Sequence, residues 1–212
     1  MKYLVTLAFF ILYTFNSYSQ YVSYQDGSPA REIKLVNVEG SELLYPDWTK
    51  GSIKLASGRV YDEMLLKYNI YEDQLYFQGK ENATMKFTSP VVEFRFGSDV
   101  YRNGYPAIKD FNELSYFEVL SEGKATLLKK ITKNVIDVKE FNSSITVKKI
   151  ADDKFYYLYN NGKMLLLKSD KATFLGLVSD KKNEIEAYLK ANKINFKKEE
   201  DLITLVTAYN KL

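Results

Sequence analysis

Residues 154–168, KFYYLYNNGKMLLLK, decide the fold class. Asn161 and Gly162 both tolerate positive φ, so an Asn-Gly pair between two apolar runs predicts a hairpin closed by a type I′ turn. Upstream of it Phe155, Tyr157 and Tyr159 fall on one face, and Tyr156 with Leu158 on the other. A strand that is apolar on both faces is either central in a core or in contact with a partner.

The same grammar recurs toward the N-terminus. LLKYNIYEDQLYF (65–77) places two aromatic-rich runs around the break Glu72-Asp73, a second hairpin. In VVEFRF (91–96), Val92, Phe94 and Phe96 alternate with Glu93 and Arg95, as in a half-buried strand. Runs 116–120 and 125–131 flank Ser121-Glu122-Gly123, a third hairpin, and 145–150 and 154–159 read as separate strands. The earliest expected strand covers Ile33 to Val38 and closes at Gly40. A turn is expected over 47–51 before a strand at 52–56. Residues 20–30 read as an edge-strand or mobile lead-in.

After Leu167 the period changes. Ser169-Asp170 can cap a helical turn that buries Phe174 and Leu175. Ser179-Asp180 is expected to cap a helix with Ile185, Tyr188 and Leu189 on one face. A last helix follows Glu199-Glu200-Asp201, acids that suit its first turn, with Leu202, Leu205, Val206 and Tyr209 as its stripe. The expectation is an α+β fold, mostly β. It comprises an antiparallel sheet of short hairpin-connected strands, with an αα-hairpin from about residue 169 packed on it, all in one domain over 20–212.

Composition narrows the chemistry. Of 212 residues, 46% are hydrophobic and 27% charged, ordinary values for a folded domain. There is no Cys and no His, which excludes disulfides, thiol nucleophiles, Ser-His and Cys-His catalysis, and metal sites built on imidazole or thiolate. The net charge is +3, Arg occurs only at 31, 59, 95 and 102, and both signs are interspersed. Nucleic-acid binding is disfavoured, since it calls for Arg concentrated on one face.

At the N-terminus Lys2 precedes an apolar run of 12 residues (4–15), and Ser17 and Ser19 supply small side chains before Gln20. This is the pattern of a signal peptide removed after residue 19, too short for a membrane anchor. The expectation is an exported protein, periplasmic or extracellular, with no integral membrane segment after cleavage.

The run at 65–77, VVEFRF, and the ending YLKANKINFKKEEDLITLVTAYNKL (188–212) resemble a group of uncharacterised secreted β-rich envelope proteins of Bacteroidota with a C-terminal Lys-rich helical hairpin. The resemblance implies envelope localisation and brings no catalytic residues.

Hydrolysis without His or Cys would need paired carboxylates. Asp62-Glu63, Glu72-Asp73, Glu93 and Asp152-Asp153 are the candidates, and the three pairs read as turn residues. Neither Asp26-Gly27 nor Asp152-Asp153 has the spaced oxygen ligands of a calcium loop, and the glycines form no phosphate loop. No enzyme, cofactor or metal is expected. Trp48 is expected to plug a sheet end. Among the C-terminal lysines Glu184, Glu186, Glu199 and Glu200 interleave, as on a solvated face. Tyr68, Tyr71, Tyr76, Phe155, Tyr157 and Tyr159 remain, either as half-buried β residues or as the face for a protein partner in the envelope or outer membrane. The alternatives are an apolar pocket between sheet and helices for a lipid or glycan and, behind it, an acid-based glycan hydrolase.

Overall fold

A computed structural model describes residues 27–139, 145–168 and 170–212; the leader assignment and Ser169 lie outside them. Of the described residues, 46% are in strands and 19% in helices. The strands are β1 (Gly27–Pro29), β2 (Val38–Glu39), β3 (Thr49–Leu55), β4 (Val60–Asn69), β5 (Gln74–Gln78) and β6 (Thr84–Phe87). They continue as β7 (Val91–Phe96), β8 (Asp99–Arg102), β9 (Phe117–Ser121), β10 (Ala125–Lys139), β11 (Thr146–Asn160) and β12 (Lys163–Leu166). Three helices follow: α1 (Lys171–Leu177), α2 (Lys182–Ala191) and α3 (Glu199–Asn210).

All strands join one sheet of order β1-β6-β5-β4-β3-β7-β8-β9-β10-β11-β12, with β2 added in parallel to β11. Two meanders, β3 to β6 and β7 to β12, therefore meet at a single antiparallel seam, where Ile53 of β3 faces Phe94 of β7. Asn161 (φ 50°) and Gly162 (φ 74°) both take the left-handed conformation, as a type I′ turn requires. Asp73 (φ 54°) does the same in the β4–β5 turn.

Three apolar clusters hold the sheet. Ile53, Leu66, Phe94 and Tyr101 centre the one that spans the seam between the two meanders. Leu127 and Leu158 pack against Phe174, Ile185, Leu202, Leu205, Val206 and Tyr209 of the helices. On the opposite face of β10 and β11, Leu128 and Tyr157 pack under Tyr105, Ile108 and Phe111 of the loop 103–116. The two-faced pattern of 154–159 thus has two coverings, helices on one side and a loop on the other. Asp170 caps α1 by accepting from the Thr173 N–H at 2.7 Å.

Several local expectations are overturned. Residues 146–160 form one continuous strand, because Asp152 and Asp153 stand opposite Lys133 and Thr132 in the ladder instead of turning the chain. Likewise β10 runs on past Ile131 to Lys139. Asp62 and Glu63 lie inside β4, at the irregularity opposite β3, where Glu63 has φ 55°. Gly51 is inside β3, where a Cβ would lie 2.3 Å from the Arg95 carbonyl oxygen. Residues 30–36 cross without regular structure, leaving Ile33 and Val36 exposed. Ser179–Lys181 is a 3-10 turn, so α2 begins at Lys182 and Asp180 accepts from the Tyr209 hydroxyl instead of capping it.

Candidate interaction surface

Two consecutive lysines of β10 organise the interior, one on each face of the sheet as strand geometry dictates. Lys129 Nζ lies 2.8 Å from Glu118 and 3.1 Å from Glu199, tying α3 to β9 and β10. Tyr101 and Tyr156 donate hydroxyls to the same two carboxylates. Burial pushes the Glu118 carboxyl up despite Lys129 beside it.

Lys130, 3% exposed, forms an ion pair with Asp73 at 2.8 Å and donates to the Tyr116 carbonyl at 2.9 Å. The Tyr68 hydroxyl donates to the same Asp73 carboxylate. Burial holds Lys130 below the usual ammonium range, with Asp73 opposing. Burial, then the Asp73 charge, pushes the Tyr68 phenol far up. Neither lysine was marked by the sequence reading, although two lysines after four apolar or β-forming residues in an unbroken strand are a visible signal.

The six aromatic candidates do not share one exposed face. Tyr68 is buried against Phe94, Tyr101 and Tyr116. Tyr76, opposite Lys67 in the ladder, is on the other face of that hairpin, buried, with its hydroxyl on Glu72 at 3.1 Å. Tyr71 is exposed at the turn. Tyr157 is fully buried against Phe117, while Phe155 and Tyr159 are half-buried around it, Tyr159 against Tyr105. Three of the six are therefore core residues of this chain: Tyr157 lies under the 103–116 loop, Tyr68 against Phe94, Tyr101 and Tyr116, and Tyr76 is 4% exposed. Trp48 is half-buried, with Lys67 Nζ 4.4 Å from its ring centroid and Glu32 3.2 Å from the same ammonium.

The carboxylate pairs are engaged elsewhere. Glu93 is held below the usual carboxylate range by Arg95 and Arg102, against the effect of burial. Asp152 and Asp153, adjacent in β11, point to opposite faces and reach Lys133 and Asn134. Among the described residues no cluster of acidic side chains is arranged to hold a metal ion. The space between sheet and helices is filled by side chains such as Leu158, Leu202 and Val206. An open groove of 820 Å³ lies elsewhere, along Ala30, Arg31, Glu32, Ile33, Lys34, Val36 and Thr84.

What the chain does expose is the far half of the β10–β11 ribbon. Strand β9 pairs with β10 only from Leu127 to Lys129, so β10 outruns its neighbour. Among the described residues no strand lies along that edge over 130–139. On one face of this arm Val138 stands opposite Val147, with Ile136 (44% exposed) beside them. Ile145, 60% exposed, precedes β11 at the arm's end. No helix among the described residues is long and apolar enough to cross a membrane. No family model matches the chain, and no curated protein or solved structure matches it either.

Proposed function

We propose that the protein is an exported, non-enzymatic component of the cell envelope that acts by protein–protein contact, as a periplasmic accessory subunit of an outer-membrane assembly. The observation that carries the contact reading is the β10–β11 arm, a ribbon extending beyond β9 and edged by β2 on its β11 side, with Ile136 exposed on one face. Natural sheets usually shorten or cover such a ribbon, and an exposed apolar residue on its face offers a contact for a partner. Export is supported by the charged residue, apolar run and small residues that open the sequence. The aromatic residues act in this reading as the rigid base of the arm, since Tyr157 and Phe155 lie at its root.

The test is affinity capture of the tagged protein from gently solubilised native envelope, beside a variant whose arm is shortened by joining residues 133 and 152 through an Asn-Gly turn. One membrane protein captured stoichiometrically by the native chain and lost from the short-arm variant is the expected result. Recovery of the native chain alone, or capture indifferent to the arm, overturns the proposal.

A further inference from the structure

We infer that the edge of β10 over 132–138, along which no strand lies among the described residues, pairs with the same edge of a second copy of this chain, making a two-fold dimer with a continuous sheet. The inference goes beyond the envelope role and does not depend on it, since it concerns the purified chain alone.

Edge strands are normally protected by proline, bulges, brevity or an outward lysine. Over 132–138, TKNVIDV, there is no Pro or Gly, and the pairing with β11 runs unshifted from Ala125 to Lys139. Four of these seven residues are β-branched, which favours an extended edge. The one lysine in the stretch is disarmed. Lys133 Nζ is 2.8 Å from Asp152, and its side chain is only 10% exposed.

The charges choose the partner. A two-fold axis normal to the sheet pairs the edges antiparallel and keeps like faces together. Centred on Val135, it sets Val135 against its own mate, Asn134 against Ile136, Lys133 against Asp137 and Thr132 against Val138. Within the chain Lys133 faces Asp152 and Asp137 faces Lys148 across the ladder on that same face. The dimer therefore carries two symmetric rows reading Asp152, Lys133, Asp137, Lys148, alternating in sign across four strands. Shifting the centre to Ile136 sets Lys133 against Lys139 instead, and like charges directly opposite are destabilising.

The chain has no cysteine, so one introduced thiol reports the register. In Val135→Cys the two thiols lie directly opposite each other, within disulfide reach. In the control Thr132→Cys the thiols are six residues out of register, about 20 Å apart at strand rise. Sedimentation velocity of the wild-type chain at micromolar concentration is expected to show a dimer. Under mild oxidation Val135→Cys is expected to link at least about tenfold faster than Thr132→Cys. Asp137→Lys, which places lysine opposite lysine, is expected to weaken the dimer about tenfold, with its thermal transition retained. A wild-type chain that stays monomeric, equal linking rates for the two thiols, or a dimer indifferent to Asp137→Lys overturns the inference.

Discussion

Lys130 Nζ lies 2.8 Å from Asp73 Oδ2, which joins the second meander to the β4–β5 turn of the first through an ion pair whose lysine is buried and whose carboxylate is partly exposed. Removing Asp73 leaves the Lys130 charge buried without compensation, at a cost of about 3–5 kcal/mol, whereas removing Lys130 leaves a carboxylate that water partly reaches. Asp73→Asn is expected to lower stability in this range and Lys130→Met by less, and Asn tolerates the left-handed backbone at 73. The double variant is expected to lose clearly less than the two single losses together. Urea unfolding of the four chains measures this, and strict additivity would show that the two groups are uncoupled.

Alkali is expected to unfold the protein. Burial is the first cause that raises the phenols of Tyr68, Tyr101, Tyr116 and Tyr156, and it pushes Tyr76 up to about 12. A raised folded pKa means that this stability is whole below the unfolded value near 10 and is lost as pH climbs from there through about 12. Lys130, lowered by burial, acts in the opposite direction below 10.5, but it is one group against five. Tyrosinate absorbance should therefore rise together with loss of near-ultraviolet dichroism. Phenols that titrate near 10 in a chain still folded would contradict it.

Two glycines are expected to respond in opposite directions. A Cβ at Gly51 would sit 2.3 Å from the Arg95 carbonyl and 2.8 Å from Leu66 Cδ1, at the seam of the sheet. Gly51→Ala should cost about 2–3 kcal/mol. Around Gly176 in α1 there is open space, and Gly176→Ala should add about 0.5–1 kcal/mol through helix propensity. Thermal melts of both variants decide it.

Two buried tyrosines differ in what their hydroxyls meet. The Tyr157 hydroxyl has no hydrogen-bond partner among the described residues, so Tyr157→Phe should be neutral or stabilising. The Tyr209 hydroxyl donates to Asp180 at 2.9 Å and accepts from Asn160 at 3.3 Å, so Tyr209→Phe should cost about 1–2 kcal/mol. Equal effects at the two positions would refute the assignment of partners.

Local grammar explains which parts of the fold are readable in the sequence. Asn161-Gly162, Glu72-Asp73 and the stripe Leu202, Leu205, Val206 and Tyr209 carry their structure within a few residues, and each takes the expected form. Strand continuity at Asp152-Asp153 is not local. Two acids look like a turn until β10 supplies Lys133 and Asn134 across the ladder. The aromatic set has the same limit, because alternation distinguishes the two faces of 154–159 but not what covers them. The Lys130–Asp73 pair spans the two meanders, and no periodicity reports it. The free edge is legible only once β9 is seen to stop short of β10.

The single seam between β3 and β7 also sets an order of events in folding. Within each meander neighbouring strands are neighbours in sequence, so loop closure is cheap, and Ile53 against Phe94 is the long closure on which joining the two depends. A truncation at Phe94 should slow refolding, whereas one at Met164 of β12 should chiefly hasten unfolding, as the two arms of a chevron plot would record. A chain delivered segment by segment, C-terminal strands last, can thus complete the β3–β6 meander early and wait for β7 to close the sheet.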